Sequence, residues 1–320
     1  MPKAFPRGRI CWNELMTADP KAATAFYKAV VGWGTQAWEG DSSYVMWTAR
    51  GTPVGGLMAL PEDARRMGTP SSWVMYVAVP DLDASVRQAV SLGGRVYVQP
   101  QDIPTMGRFA VLGDPQGATF ALFSATSGIP GHDGPSEPGE FSWHELATSD
   151  WQAAWGFYEQ LFGWVKMEAM DMGPVGTYQM FGRAGEMLGG MYNKPPEVPA
   201  PPHWLCYALV PSADSAAAVV QRLGGKVVNG PMDIPGGGRI AQCIDPQGAA
   251  FAVHANASSA KAAAKPKRGA KKAAKKAGKK TGKKATKKAA KKAAKKARKA
   301  AKKARKSAKK AQKKAAARRR

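Results

Sequence analysis

Two carboxylates sit where a strand could turn them toward chemistry. Glu14 lies in Trp12-Asn-Glu-Leu-Met-Thr-Ala-Asp19, and Glu145 in Trp143-His-Glu-Leu-Ala-Thr-Ser-Asp150. Each segment reads as a short strand, in which alternate side chains share a face. Trp12, Glu14 and Met16 therefore point one way, as do Trp143, Glu145 and Ala147. Tyr76 and Tyr207 belong to a second apolar run that is expected to face them. A carboxylate beside an indole and a phenol is poorly solvated, and desolvation raises its pKa toward the range of a general base. Glu14 and Glu145 are thus the candidate catalytic groups, with Trp12, Trp143, Tyr76 and Tyr207 as candidate ligand-pocket residues. The same arrangement would also serve as a hydrogen-bond anchor for a neighbouring segment, and both readings stand.

The remaining polar residues divide in the same manner. The four histidines are His132, His144, His203 and His254. By alternation His144 points away from the face of Trp143 and Glu145, whereas His254 shares a face with Ala252 and joins the candidate pocket. An ordinary strand histidine is the alternative for His254. Arg108 and Arg239 each follow a glycine and suit either an anionic ligand or solvent. Asp102-Ile-Pro104 and Asp233-Ile-Pro235 read as loops before a strand, functional or simply Asp-capped turns. The dyads Phe26-Tyr27 and Phe157-Tyr158 read as helix-to-sheet core.

The elements that must hold these residues are duplicated. Besides the two Trp-x-Glu-Leu segments, Phe26-Tyr27, Gly32-Trp33, Leu92-Gly-Gly94, Asp102-Ile-Pro104 and Asp114-Pro-Gln-Gly117 all recur 131 residues later. A constant displacement over this length marks a duplicated domain. Within the first copy, 10–16 reads as a strand, and 19–31 has helical spacing behind a capping Asp19 and ends at Gly32. Strands are expected near 35–39, 43–49 and 53–60. A strand at 73–79, a helix from Asp81 to Leu92, and strands near 95–98, 107–113 and 118–123 follow. The order is βαβββ, twice per copy. The expected organisation is a first domain over 1–126, a Gly/Pro linker over 127–140, a second domain over 141–256 and a tail over 257–320.

This wording (strand, FY…GW helix, GG strand, then a helix ending LGG and a DPQG turn) resembles the vicinal-oxygen-chelate superfamily, and specifically its tandem-domain glyoxalase-like bacterial branch. The resemblance covers roughly residues 8–255 and implies an α+β fold in which paired βαβββ modules curl into a cup around a small molecule. Metal-dependent members hold a divalent ion with side chains at strand ends, one seven residues before the helix-opening Asp and one in the last strand. Carried over, three of the four positions are Trp12, Val74 and Ala121 in the first copy and Trp143, Leu205 and Ala252 in the second, while the fourth, on the strand after Gly55-Gly56 or Gly189-Gly190, has no assigned residue. None of the named side chains can donate a lone pair to a metal. No cofactor is expected, and a divalent metal is disfavoured. The resemblance leaves a small-molecule-binding protein, a glyoxalase-like lyase or isomerase, and a hydroxylase-like oxidoreductase as readings, with a homodimer among the assemblies it allows.

Charge separates the chain into two objects. Of 320 residues, 48 are basic and 23 acidic, but 258–320 holds 31 of the basic residues and no acidic one. The remainder carries 17 basic residues against 23 acidic. Lys-Lys doublets recur every four residues from 271 to 295, a spacing that winds around a helix and leaves no single apolar stripe. Such a polycation is expected to be disordered when free and to bind DNA or another polyanion without sequence preference, through counterion release. It resembles the tails of linker histones. Three cysteines, Cys11, Cys206 and Cys243, do not make a disulfide framework. The opening MPKAFPRGR has no signal-peptide apolar stretch, and no run is long enough to cross a bilayer. A cytoplasmic, nucleoid-associated protein is therefore expected.

Overall fold

Acidic and hydroxyl side chains start the four long helices where the sequence places them. Asp19 accepts the Ala22 N–H at 2.9 Å and opens α1 (Pro20–Val30), whose first residue needs no hydrogen-bonded N–H. A five-residue α2 (Glu62–Arg66) comes next, then α3 (Leu82–Ser91), capped by Asp81 on Ala84 N–H. In the second copy Asp150 caps α4 (Trp151–Phe162), which ends on a left-handed Gly163, and Ser212 caps α5 (Ala213–Arg222). The computed structural model describes residues 6–126 and 128–257; the expectations for 258–320 lie outside them.

Each copy contributes one eight-stranded sheet. The first contains β1 (Ile10–Thr17), β2 (Gly34–Trp38), β3 (Asp41–Ala49), β4 (Thr52–Ala59), β5 (Ser72–Ala78), β6 (Arg95–Ile103), β7 (Gly107–Gly113) and β8 (Thr119–Ala125). The second contains β9 (Phe141–Thr148), β10 (Val165–Asp171), β11 (Thr177–Arg183), β12 (Glu186–Asn193), β13 (His203–Leu209), β14 (Lys226–Asp233), β15 (Arg239–Ile244) and β16 (Ala250–Ala255). The orders are β2-β3-β4-β1-β5-β8-β7-β6 and β10-β11-β12-β9-β13-β16-β15-β14. β1 and β5, and likewise β9 and β13, lie side by side antiparallel at the centre, so each carboxylate strand is flanked on both edges. The βαβββ order expected from the repeat is therefore present in both copies.

Three local features depart from the sequence reading. The α2 turn was not foreseen; the second copy has a proline-rich loop there instead. β6 runs on to Ile103 because two register shifts against β7 absorb Pro100 and its polar neighbours, which break the alternation in sequence. Asp102 and Asp233 consequently sit at strand ends rather than in free loops.

The hydrophobic core does not follow the copies. One cluster joins α1, Trp33, Trp47 and Trp73 of the first copy to α5, Cys206, Cys243 and Phe251 of the second. The other joins α3, Leu112 and Phe120 of the first copy to α4, Trp164, Phe181 and Trp204 of the second. Buried hydrogen bonds cross at equivalent places. Tyr27 donates to Asp245 at 3.1 Å and accepts from Trp73 Nε1, while Tyr158 donates to Asp114 at 3.0 Å and accepts from Trp204 Nε1. The FY dyads are thus core, as read, and their tyrosines lock each helix to the other copy's Asp-Pro-Gln-Gly turn. Between the sheets Asn13 and His144, 131 residues apart, hydrogen bond at 2.9 Å.

Candidate functional site

The opposite face of each sheet carries the carboxylates. Glu14 and Glu145 are 7% and 8% exposed, and each holds its two oxygens against phenols. In the first copy Tyr44 donates to Glu14 Oε2 at 2.7 Å and Tyr76 to Oε1 at 2.9 Å. The Trp12 indole donates to Tyr44 Oη at 2.9 Å. In the second copy Tyr178 donates to Glu145 Oε2 at 3.0 Å, Tyr207 to Oε1 at 3.1 Å, and Trp143 to Tyr178 Oη at 2.8 Å. Gln242 is added there: its Nε2 donates to Glu145 Oε1 at 2.9 Å and to Tyr207 Oη at 2.8 Å. The corresponding residue of the first copy is Val111.

Local geometry makes these clusters possible. The parallel pairing of β1 with β4 sets Gly56 beside Glu14, and that of β9 with β12 sets Gly190 beside Glu145. A Cβ on Gly56 would collide with Tyr44 Oη, and one on Gly190 with the Tyr178 ring. The paired glycines therefore clear the space through which a tyrosine from the next strand reaches the carboxylate. Burial pushes both carboxyl pKa values up, against the opposing pull of the phenolic hydrogen bonds and, for Glu145, of Gln242. No cation takes part in either case.

The structure brings together Trp12, Glu14 and Tyr76, and equally Trp143, Glu145 and Tyr207, as the alternation placed them. His254 stands slightly apart: its Nδ1 lies 3.0 Å from Ser142 Oγ, and burial lowers its pKa. His144 faces the other way, into the interface between copies, as read. Arg108 bonds Asp83 and Asp102, and Arg239 bonds Asp214 and Asp233, so each arginine staples a helix start to a strand hairpin. That pairing is neither of the two options left open by the sequence, an anionic ligand or solvent: both guanidinium groups are held by aspartates of the chain itself. All three cysteines are buried thiols.

Tyr44, Tyr178 and Gln242 were missed. The two tyrosines recur at a displacement of 134, not 131, because the second copy has a 3-10 turn, Gly173–Val175, between β10 and β11. A search for the shorter motif would have found them: Tyr44-Val-Met-Trp matches Tyr178-Gln-Met-Phe. Gln242 was hidden because its counterpart is an apolar residue.

Comparison with known proteins places the fold in a family. A glyoxalase-like domain model matches residues 9–123, and the glyoxalase/bleomycin resistance protein/dioxygenase superfamily model matches 141–253. A Mycobacterium tuberculosis protein named as a glyoxylase, CFP32, is 36% identical over 258 residues, covering 79% of this chain and 97% of its own length. The chain belongs to the glyoxalase/bleomycin resistance protein/dioxygenase superfamily. Another relative is the anthracycline biosynthesis protein DauV of Streptomyces sp. strain C5, 30% identical over 78% of this chain and 94% of that one. Solved superfamily structures share the fold. The Mn(II)-bound glyoxalase of Novosphingobium aromaticivorans gives a TM-score of 0.53 at 17% identity, over 78% of this chain and 82% of that one. The 2,2',3-trihydroxybiphenyl 1,2-dioxygenase of Sphingomonas wittichii RW1 gives 0.56 at 14%, over 79% and 91%. Among the described residues no three His, Cys, Asp or Glu side chains cluster, and no helix is long and apolar enough to cross a membrane.

Proposed function

We propose that this protein binds a small molecule on the carboxylate faces of its superfamily sheets without a resident metal, and that its 258–320 segment tethers it to DNA or another polyanion. The observation that carries the first part is the donor chemistry around Glu14 and Glu145. A divalent ion in this fold needs several oxygen or nitrogen donors converging on one point. Here one carboxylate per copy already accepts two or three hydrogen bonds, and its neighbours at the expected ligand positions are Trp12, Val74 and Ala121, or Trp143, Leu205 and Ala252. Phenols, indole and hydrocarbon do not fit a divalent ion.

Elemental analysis of the purified full-length protein tests this reading. A divalent metal at one equivalent per chain, retained through dialysis and lost in Glu145→Gln, would overturn it. The tether rests on 31 basic residues without one acidic residue, a composition that releases condensed counterions from a phosphate backbone. Deleting 258–320 is expected to abolish DNA retardation at low salt, and retardation by the remaining body alone would refute the assignment.

A second reading has its own support. A buried carboxyl with a raised pKa is suited to accept a proton, and the relatives' names include a glyoxylase and a biosynthesis protein. On that reading Glu145 is the general base of a lyase, isomerase or hydroxylase-like reaction. Glu145→Gln would then abolish turnover and leave ligand affinity within a few-fold of wild type.

A further inference from the structure

We propose that the Glu145 face of the second copy receives an organic cation, a protonated or quaternary amine on an apolar or aromatic body, and that the Glu14 face of the first copy does not. The inference rests on the small-molecule reading above and narrows it to one copy and one charge class.

The argument begins with where the donors point. Tyr178, Tyr207 and Gln242 all donate to Glu145, and Trp143 donates to Tyr178. The polar hydrogens of this cluster are thus turned inward onto one carboxylate. Ring faces and oxygen lone pairs are left for a ligand, a surface that repels an anion and attracts a cation. None of the groups acting on Glu145 is Lys, Arg or His. The arginine next along the strand from Ile240, Arg239, is turned to Asp214 and Asp233. His254, its pKa lowered by burial, brings no competing charge.

The walls suit the same ligand. Trp143, Tyr178 and Tyr192 are half-buried around the buried carboxylate, and the two tyrosines stack at 5.9 Å with 23° between planes. A cation held against such faces is attracted by the negative potential of each ring, in addition to its pairing with the carboxylate.

The first copy has the same carboxylate and a different covering. Met16, Phe109, Val111 and Phe123 stand where the second copy has Ala147, Ile240, Gln242 and His254. They pack with Ile103, and with Ile129 of the linker, over Cys11, Val74, Tyr76 and Ala121. In the second copy the apolar cluster is Leu205, Tyr207 and Ala252, with only Trp143 and Ile240 against it. Tyr192 has the non-aromatic Met58 as its counterpart. The two carboxylates are buried to the same extent, and each has a half-buried indole and phenol beside it; what differs is the surround, Met16, Met58, Phe109, Val111 and Phe123 in the first copy against Ala147, Tyr192, Ile240, Gln242 and His254 in the second.

The test uses full-length protein and two probes of equal shape, phenyltrimethylammonium and uncharged tert-butylbenzene. Indole N–H resonances of Trp143 and Trp12, assigned through Trp143→Phe and Trp12→Phe, report the two faces. Phenyltrimethylammonium is expected to shift the Trp143 signal and leave that of Trp12 unmoved. At least tenfold weaker binding is expected for tert-butylbenzene, and for phenyltrimethylammonium to Glu145→Gln. If Glu145→Gln does not fold, Tyr192→Met is the second variant; it removes one wall without touching the carboxylate's hydrogen bonds and is expected to weaken the cation several-fold. Equal binding of the two probes, no binding of the cation, or a response at Trp12 overturns the proposal. If tert-butylbenzene alone binds at Trp143, the charge class is wrong and the small-molecule reading survives. If a diverse fragment set also leaves both indoles unmoved, that reading fails as well.

Discussion

His144 makes the fold sensitive to acid in a way that can be worked out from its surroundings. The imidazole is 6% exposed between the two sheets, hydrogen bonded to Asn13 and to the Leu188 backbone, and burial drives its pKa from the ordinary 6.5 down to about 3. A base with a depressed pKa binds fewer protons folded than unfolded between those two values. Its contribution to stability is therefore present above about pH 6.5 and is lost as the pH falls through that window. At pH 5, one and a half units below the ordinary value, the loss is about 2 kcal/mol at 1.36 kcal/mol per unit. Glu14, Glu145, Asp114 and Asp245 act in the opposite sense, because burial raises their pKa values. The wild-type curve alone therefore mixes both contributions, and the informative quantity is a double difference. Urea unfolding of wild type and His144→Gln at pH 7 and pH 5 is the assay. Wild type should lose about 2 kcal/mol more than the variant between the two pH values. Equal losses would show that His144 titrates normally in the folded protein and would refute the argument from burial.

Other outcomes follow from the same contacts. Tyr27→Phe leaves the Trp73 N–H and an Asp245 oxygen buried without their partner, and Tyr158→Phe does the same to Trp204 and Asp114. Each should cost about 2–6 kcal/mol by denaturant unfolding, each of the two unmet buried groups being worth roughly 1–3 kcal/mol. Because both core clusters draw on both copies, the isolated first copy, 1–126, should show no cooperative thermal transition, whereas residues 1–257 should. Glu14→Gln and Glu145→Gln remove carboxyls whose pKa burial raises. Their stability relative to wild type should rise as the pH increases from about 4.5 toward 7, and a fall measured by chemical denaturation would reverse the sign assigned to burial.

Much of this was legible in the residues themselves. The duplication, the Asp caps of α1, α3 and α4, and the faces of Glu14, Glu145, Tyr76 and Tyr207 depend on short-range rules: a side chain reaching an N–H two or three residues on, and a period of two along a strand. Those rules act within a few residues, so the chain's own order displays them. Partners brought from other strands were not legible. Tyr44, Tyr178 and Gln242 reach the carboxylates through sheet pairing, whose register is fixed by burial on the opposite face and by the clearance at Gly56 and Gly190. The exchange of helices between copies was equally hidden, because each helix has an apolar stripe that is satisfied by any complementary surface. Only the packed structure shows that α1 meets α5 of the other copy and that Tyr27 ends on Asp245. Local chemistry set the elements and their faces; non-local packing, the larger free-energy contribution, chose which faces meet.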